Sequence, residues 1–320
     1  MKCLITGVAG FVGFHLSRHL LSSRHKVYGL LRTSPTKPVD GVEYISVDGV
    51  EYISGDVTNL DAMKHLRPYK FDAVFHLAGL THPPTSFKEP VGYFRTNAIG
   101  SINICEAFGK DSVIMQCSTP EVYGICPEEE IFETFTMKPM NPYGVSKAAG
   151  DLYFLERTRN DSARGFVTRA GSHTGWGRPS CYSISSDAFQ IMKIKKALQI
   201  PVIKVGNLGS QRAVIDVKDV VVAYEELMVK FRNGDIDNGE VFHIAGKKLE
   251  TMEYYLDMML AISGVVATKE IDKKLVRKID IPRQLLNSDK MRELTGWFPV
   301  VSTKEMLKSL LKYWEIELER

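Results

Sequence analysis

Short, continuous apolar runs alternate with longer stretches in which apolar residues return every three or four positions. The runs are Lys2–Thr6, Val27–Leu31, Ala73–Leu77, Val113–Ser118 and Phe166–Arg169. Runs this short and unbroken predict strands buried on both faces, as in a parallel sheet. Phe14, Leu16, Leu20 and Leu21 mark a first helix, and further helices are predicted near 91–108 and 142–158. Beyond Arg169 the strict alternation loosens. Helices are expected over 184–199 and about 217–231, with strands at Val202–Val205 and Val241–Ile244. The C-terminal part reads as mostly helical, its last helix opening on the capping box Ser302-x-x-Glu305. The pattern predicts an α/β protein: a doubly wound parallel sheet over 1–168, and a smaller mixed α/β part over 169–320 with segments returning to the first.

Composition changes this picture little. A chain of 320 residues with a net charge of +3 spread along its length offers no footprint for nucleic acid. No apolar run approaches the ~18 residues of a membrane span. The strand-like start at Lys2 leaves no room for a signal peptide, so a cytoplasmic protein is expected. Five scattered cysteines without CxxC spacing read as reduced thiols and not as metal ligands. Glu128–Glu130 reads as a solvated loop, not a metal site. One local oddity is a tandem duplication. Gly41–Asp48 and Gly49–Asp56 agree at seven of eight positions. Only one copy fits the third strand; the second, which leads into a helix start, is assigned to it. The first is expected to be a hairpin arm, an edge strand or a loose loop.

Chemistry enters with the glycines. After the first strand comes Gly7-Val8-Ala9-Gly10-Phe11-Val12-Gly13, and then the first helix. Strand, glycine turn and helix together point to a dinucleotide whose pyrophosphate rests on the helix N-terminus. The second strand ends at Arg32, where an acidic residue would select NAD; an arginine suits the 2′-phosphate of NADP, the alternative being a solvated loop arginine. Asp56 and Val57 follow the third strand and are expected near the adenine. Leu77, Ala78 and Gly79 close the fourth strand, where small residues allow close approach of the cofactor; His76 reads as a satisfied core histidine. The fifth strand delivers Ser118 and Thr119 to the crevice. Asn141-Pro142 then starts a helix that places Tyr143 and Lys147 four residues apart on one face. The ammonium and the helix N-terminus both favour a phenolate, so the Tyr143 pKa is expected to fall and the residue to act as an acid/base. YxxxK by itself is also met by chance.

With Ser118-Thr119-Pro120-Glu121-Val122-Tyr123-Gly124, the glycine loop and Tyr143/Lys147, the chain resembles the extended short-chain dehydrogenase/reductase family, Rossmann-type enzymes that modify nucleotide sugars. His76–Gly79, Asn97–Gly100 and Thr295–Pro299 add to the match. Ser86-Phe87, Val205–Leu208, Arg212 and Asp216–Val220 bring it nearest to GDP-6-deoxy-4-keto-mannose reductases, with GDP-mannose 4,6-dehydratases next. The resemblance implies that Thr119 polarises a 4-keto group, that Tyr143 transfers the proton, and that Lys147 holds the nicotinamide ribose. It implies Asn97 on the cofactor side, and Ser86, Ser172, His173, Asn207 and Arg212 on the substrate side, with Arg283 or Lys278 joining Arg212 at the diphosphate. Glu121 corresponds to a proton-moving glutamate of the dehydratases but does not decide the reaction. The implied reaction is NADPH-dependent reduction of a 4-keto sugar nucleotide, the alternative a 4,6-dehydratase or epimerase that recycles its cofactor. A homodimer through a four-helix bundle is implied, with Phe154 and Leu155 as candidates that equally suit the monomer core. Ser172 stands where an Asn is usual, Trp176 where a Pro is usual, and Ala213-Val214 where Asp-Phe is usual. These departures imply a shifted sugar or nucleotide specificity.

Overall fold

The computed structural model describes residues 1–32 and 47–320. Its centre is a seven-stranded parallel sheet. Six strands follow in chain order: β1 (Lys2–Thr6), β2 (Lys26–Leu31), β3 (Glu51–Ser54), β4 (Ala73–His76), β5 (Val113–Cys117) and β6 (Arg164–Ala170). The spatial order is 3-2-1-4-5-6, and the seventh strand (Val241–Ile244) pairs outside β6. Every pairing in the sheet is parallel. The chain reverses direction across the sheet between β1 and β4, which makes the crevice above their carboxyl ends the natural ligand site.

Helices cover both faces. On one face α1 (Phe11–Ser22) packs beside the helix Val217–Asn233, and their Leu16, Leu20, Val220, Tyr224 and Leu227 fill a core with Ile5 and Phe75. On the other, α2 (Leu60–Lys64) and two later helices pack on Leu4, Val74 and Ile114. The first of these is built in pieces. The turns α3 (Pro83–Ser86) and α4 (Pro90–Tyr93) lead through a π-helical segment, Phe94–Ile99, into α5 (Gly100–Phe108). The second is α6 (Pro142–Arg159). The π-segment interrupts the regular helix expected near 91–108; such wide turns recur at functional sites. Here it carries Asn97 inward.

A smaller layer is made of α7 (Ser183–Lys195), the helix now labelled α8 (Val217–Asn233) that bridges to the sheet, α9 (Met252–Ser263), α10 (Asp289–Thr295) and α11 (Thr303–Glu317). Ile184, Ile191, Leu256, Met259, Leu307 and Leu310 form its own core. The capping box at Ser302 and Glu305 is present. Residue 168, the expected limit of the sheet region, falls inside β6, and Val241–Ile244 returns to extend the sheet. A strand this short gains its place only by pairing, which local sequence does not encode. The second copy of the duplication forms β3; the first, apart from Val47 and Asp48, lies outside the described residues, as do Thr33 and Ser34. No helix among the described residues is long and apolar enough to cross a membrane.

Candidate active site

The cap of α6 organises the site. Asn141 is its N-cap, with Oδ1 accepting the Gly144 N–H at 2.8 Å, and Pro142 opens the first turn. The Asn141 amide also donates to Glu121 Oε2 at 2.8 Å, so one residue starts the helix and holds the turn after β5 against it. Gly144 is required there: a Cβ would lie 2.7 Å from the Glu121 carbonyl oxygen. Close contact of this turn with α6 brings Thr119, Glu121 and Tyr143 together. Tyr143 and Lys147 are both buried. The Lys147 ammonium donates to the Cys117 carbonyl at the end of β5.

Below these groups runs a buried polar chain. Ser118 Oγ donates to Asp151 Oδ2 at 2.5 Å, Arg169 Nε donates to the same oxygen at 3.2 Å, and another Arg169 nitrogen donates to Tyr123 Oη at 2.6 Å. Tyr123 Oη lies 2.7 Å from His243 Nε2, and burial pushes that imidazole down to about 3, so the phenol donates. The chain ties β5, α6, β6 and the seventh strand beneath Thr119 and Tyr143.

Tyr143 corrects the expectation of a lowered pKa. Burial raises it above the ordinary phenol value, and a hydrogen bond with Thr119 only partly opposes this. Desolvation disfavours the phenolate more than the helix end favours it. Lys147 is turned to a backbone carbonyl instead of countering that burial. The phenol is therefore held in its acid form.

The cofactor crevice is shaped by missing side chains. Gly7 has φ +71°, and a Cβ there would lie 2.8 Å from the Ala78 amide nitrogen; at Gly13 it would lie 2.2 Å from the Gly7 oxygen. Gly10 is the N-cap of α1 with no side-chain cap, and no acidic residue occupies the first turn, so the amides at Phe11 and Val12 are open to a pyrophosphate. Leu77 packs with the core on this loop's side of the sheet and Ala78 with the core of the other face, the Ala78 N–H held by Thr6 Oγ1 at 3.0 Å. Asn97 clamps the next residues, accepting from Leu80 N at 2.8 Å and donating to Ser146 Oγ at 2.9 Å; a Cβ at Gly79 would meet its Oδ1 at 3.0 Å. Arg32 ends exposed just past β2. Asp56 Oδ1 caps Thr58 N at 2.8 Å, and Val57 is buried with its carbonyl bonded to Asn103. These residues fit a dinucleotide: they leave a strip of backbone with unclaimed amides and no side chain in the way.

The residues expected on the substrate side make the following contacts within the chain. Arg212 faces Asp280 at 4.0 Å, and Asn207 donates to that carboxylate at 2.6 Å. His173 stacks on the Phe11 ring at 6.3 Å, and burial pushes it down to about 4. Ser172 sits beside it, half-buried. Ser86 instead turns its hydroxyl to the Pro83 carbonyl of its own turn, and Arg283 is taken up by the carbonyls of Glu128 and Glu129. Lys278 Nζ lies 5.7 Å from the Phe87 ring centroid. Trp176, Ala213 and Val214, expected on the substrate side, do packing work. Trp176 stacks on Phe14 and meets Tyr313 edge-on, its carbonyl bonded to His15, while Ala213 and Val214 are buried. Two cations missed from the sequence line the site: Arg277, 3.9 Å from Glu121 Oε1, and Arg178, whose guanidinium lies 3.6 Å over the Tyr182 ring. For Arg178 the only sequence signal was a lone arginine between glycine and proline, Gly177-Arg178-Pro179.

A glycine loop at the switch point of a parallel sheet, with Thr119, Tyr143 and Lys147 at its carboxyl edge, is the architecture of NAD(P)-dependent nucleotide-sugar oxidoreductases, dehydratases and epimerases. A family model described as GDP-mannose 4,6 dehydratase matches residues 4–310, and the chain belongs to that family. It is 29% identical to GDP-6-deoxy-D-mannose reductase of Pseudomonas aeruginosa, over 98% of this chain and 97% of the relative. It is 28% identical to dTDP-glucose 4,6-dehydratase of Streptomyces niveus, over 98% and 95%. The solved structure of RMD from Pseudomonas aeruginosa complexed with NADPH superposes with a TM-score of 0.84 at 27% identity, covering 99% of this chain and all of that one.

Proposed function

We propose that the chain is an NADPH-dependent reductase of a 4-keto sugar nucleotide, of the GDP-4-keto-6-deoxy-mannose type. The observation that carries this reading is the Tyr143 phenol, held as an acid beside Thr119 at the rim of the cofactor crevice. NADPH supplies the hydride. Thr119 and Tyr143 together polarise the ketone oxygen, and Tyr143 gives it a proton. Lys147 is placed to exchange its Cys117 carbonyl for ribose hydroxyls. Arg32 is assigned to the 2′-phosphate, and Arg212 with Arg277 to the sugar diphosphate. The full-length similarity to a GDP-6-deoxy-D-mannose reductase supports the substrate class. A dehydratase or epimerase is the second reading, favoured by Glu121 beside Thr119. Its two oxygens are engaged by Asn141 and Arg277, which suits a positioning role better than a mobile acid.

The reading extends to assembly. Val91, Phe94 and Ile99 on one helical stretch and Val145 and Leu152 on α6 are exposed together, the apolar face a four-helix homodimer would cover. Phe154 is not part of it, being buried in the monomer core, and Leu155 packs against the same core. Sedimentation of wild type and Leu152→Arg tests the dimer; two monomeric species would refute it. The activity test follows NADPH absorbance with freshly generated GDP-4-keto-6-deoxy-mannose, beside Tyr143→Phe. Stoichiometric loss of NADPH that disappears in the variant is expected. A sugar product lighter by one water, or an epimer, without net NADPH use would replace this reading with the second.

A further inference from the structure

A buried polar rung crosses the carboxyl edge of the sheet, on the face that carries Leu4, Val74 and Ile114. Thr6, His76 and Gln116 are register partners on β1, β4 and β5, and Ser101 of α5 closes the rung from above. None of the four is more than 2% exposed, so each of their polar atoms must find its partner inside the protein. That requirement assigns the protons. Ser101 Oγ has one proton and donates it to the Asn97 carbonyl at 2.6 Å, while accepting from Gln116 Nε2 at 2.9 Å. His76 Nε2, at 3.2 Å from the same oxygen, is then its donor. Burial, with the Lys147 ammonium acting in the same direction, pushes the imidazole down to about 3, so the ring is neutral and its single proton is on Nε2. Nδ1 therefore accepts, from Thr6 Oγ1 at 2.8 Å, and that oxygen in turn accepts the Ala78 N–H at 3.0 Å.

All donors point one way: Ala78 N–H to Thr6, Thr6 to His76, His76 to Ser101, Ser101 to Asn97. The far end returns to the segment where the chain began. Asn97 Oδ1 accepts from Leu80 N at 2.8 Å, and its Nδ2 donates to Leu80 O at 3.0 Å and to Ser146 Oγ at 2.9 Å. Helix α6 is pressed against this joint. A Cβ at Gly150 would lie 2.9 Å from Ser101 Oγ and 3.0 Å from the Asn97 carbonyl oxygen. The Ala78–Leu80 backbone, which borders the cofactor crevice, is thus held at both ends by one ring of hydrogen bonds. His76 joins the Thr6 half of that ring to the Ser101 half. With its proton on Nδ1 instead, Nε2 would face an oxygen whose only proton is already spent, leaving two buried acceptors against each other.

Resting on the dinucleotide reading of that crevice, we propose that His76 is a positioning residue for the cofactor: as its Nε2–H tautomer it makes Thr6 and Ser101 act as one unit that sets the Ala78–Leu80 backbone against the dinucleotide. Fully buried, it acts only through these neighbours. Thr6 and Ser101 are coupled because the ring between them carries the hydrogen-bond direction from one to the other.

The test is a double-mutant cycle on binding, with no turnover needed. NADPH is titrated into the full chain in wild type, Thr6→Val, Ser101→Ala and the double variant. Each single change should weaken NADPH by about three- to tenfold, the span of a lost hydrogen bond. The double variant should be weaker than the poorer single by no more than about twofold, since one break already uncouples the ring. Thr6→Ser keeps the hydroxyl and should bind within about twofold of wild type. Losses that multiply in the double variant overturn the proposal, as do single variants that bind like wild type. A second measurement reads the ring itself: long-range nitrogen–proton spectra of the wild-type chain with 15N-labelled histidine, His76 being assigned by its shift in Thr6→Ser. The Nε2–H tautomer, unchanged from about pH 5 to 8, is expected. An Nδ1–H tautomer, or a ring that titrates in that range, overturns the proposal even if Thr6→Val or Ser101→Ala fails to fold. Multiplying losses in a chain that binds NADPH would sink this inference alone; a wild-type chain that binds neither NADPH nor NADH would sink the dinucleotide reading with it.

Discussion

Gly144→Ala sets local and tertiary physics against each other. By helix propensity alone, alanine inside α6 should stabilise the protein by about 1 kcal/mol. The structure argues the opposite. The new Cβ would meet the Glu121 carbonyl oxygen at 2.7 Å and Pro139 Cβ at 3.1 Å. Relief needs the Thr119–Glu121 turn to move about half an ångström or more, since comfortable contacts lie near 3.5 Å. Overpacking of this kind costs about 1–3 kcal/mol, leaving a net loss of up to about 2 kcal/mol after the propensity gain. The larger effect should be catalytic. A displacement of about 1 Å can cost about a hundredfold, so a fall in kcat of about tenfold or more is expected here. NADPH affinity should change little, because the new Cβ meets Glu121 and Pro139 and neither the glycine loop nor Lys147. The denaturation midpoint, kcat for NADPH oxidation and the NADPH Kd report these three quantities separately. A variant with a raised midpoint and kcat within about twofold of wild type would show that the turn does not rest on α6 as described.

Three further outcomes are expected. With Tyr143 raised by burial, the phenol stays protonated through neutral pH, so kcat for ketone reduction should remain flat from about pH 6 to 9 and decline only above; a decline centred near pH 7 would mean a lowered pKa in the working complex. Asp151→Ala would strand Arg169 in the core and should destabilise by about 3–5 kcal/mol, read by urea denaturation; a loss below about 1 kcal/mol would show the pair is not the keystone of the chain beneath the site. Burial pushes the Glu225 carboxyl up, but hydrogen bonds with His19, His25 and Ser23 outweigh it and hold the group down to about 2. A depressed carboxyl gives stability that is present above its unfolded value near 4.5 and lost as pH falls towards 2. Wild type should therefore lose thermal stability across that window more steeply than Glu225→Gln, and parallel curves would contradict the pairing.

The sequence by itself determined the features that depend on neighbours along the chain. The β1–glycine–α1 unit, the cap at Asn141, the one-turn spacing of Tyr143 and Lys147, and the Ser302 capping box follow from backbone sterics and helical period. Each is present where the residues placed it. Even the short tetrad β4 was legible, because a strand buried on both faces announces itself by unbroken apolar residues. Tertiary structure alone decided whatever depends on the medium around a group. Tyr143 has its ammonium neighbour one turn away, yet burial sets its proton affinity. Phe154 reads equally well as interface or core until α6 is docked. Trp176, Ala213 and Val214 look like substitutions at a ligand and turn out to be packing. Arg178 is an ordinary letter between glycine and proline, and its place over the Tyr182 ring and beside Phe11 appears only when residues 4 and 167 positions away are folded against it. Hydrogen-bond geometry within a turn is local, whereas desolvation and charge pairing are sums over everything folded nearby.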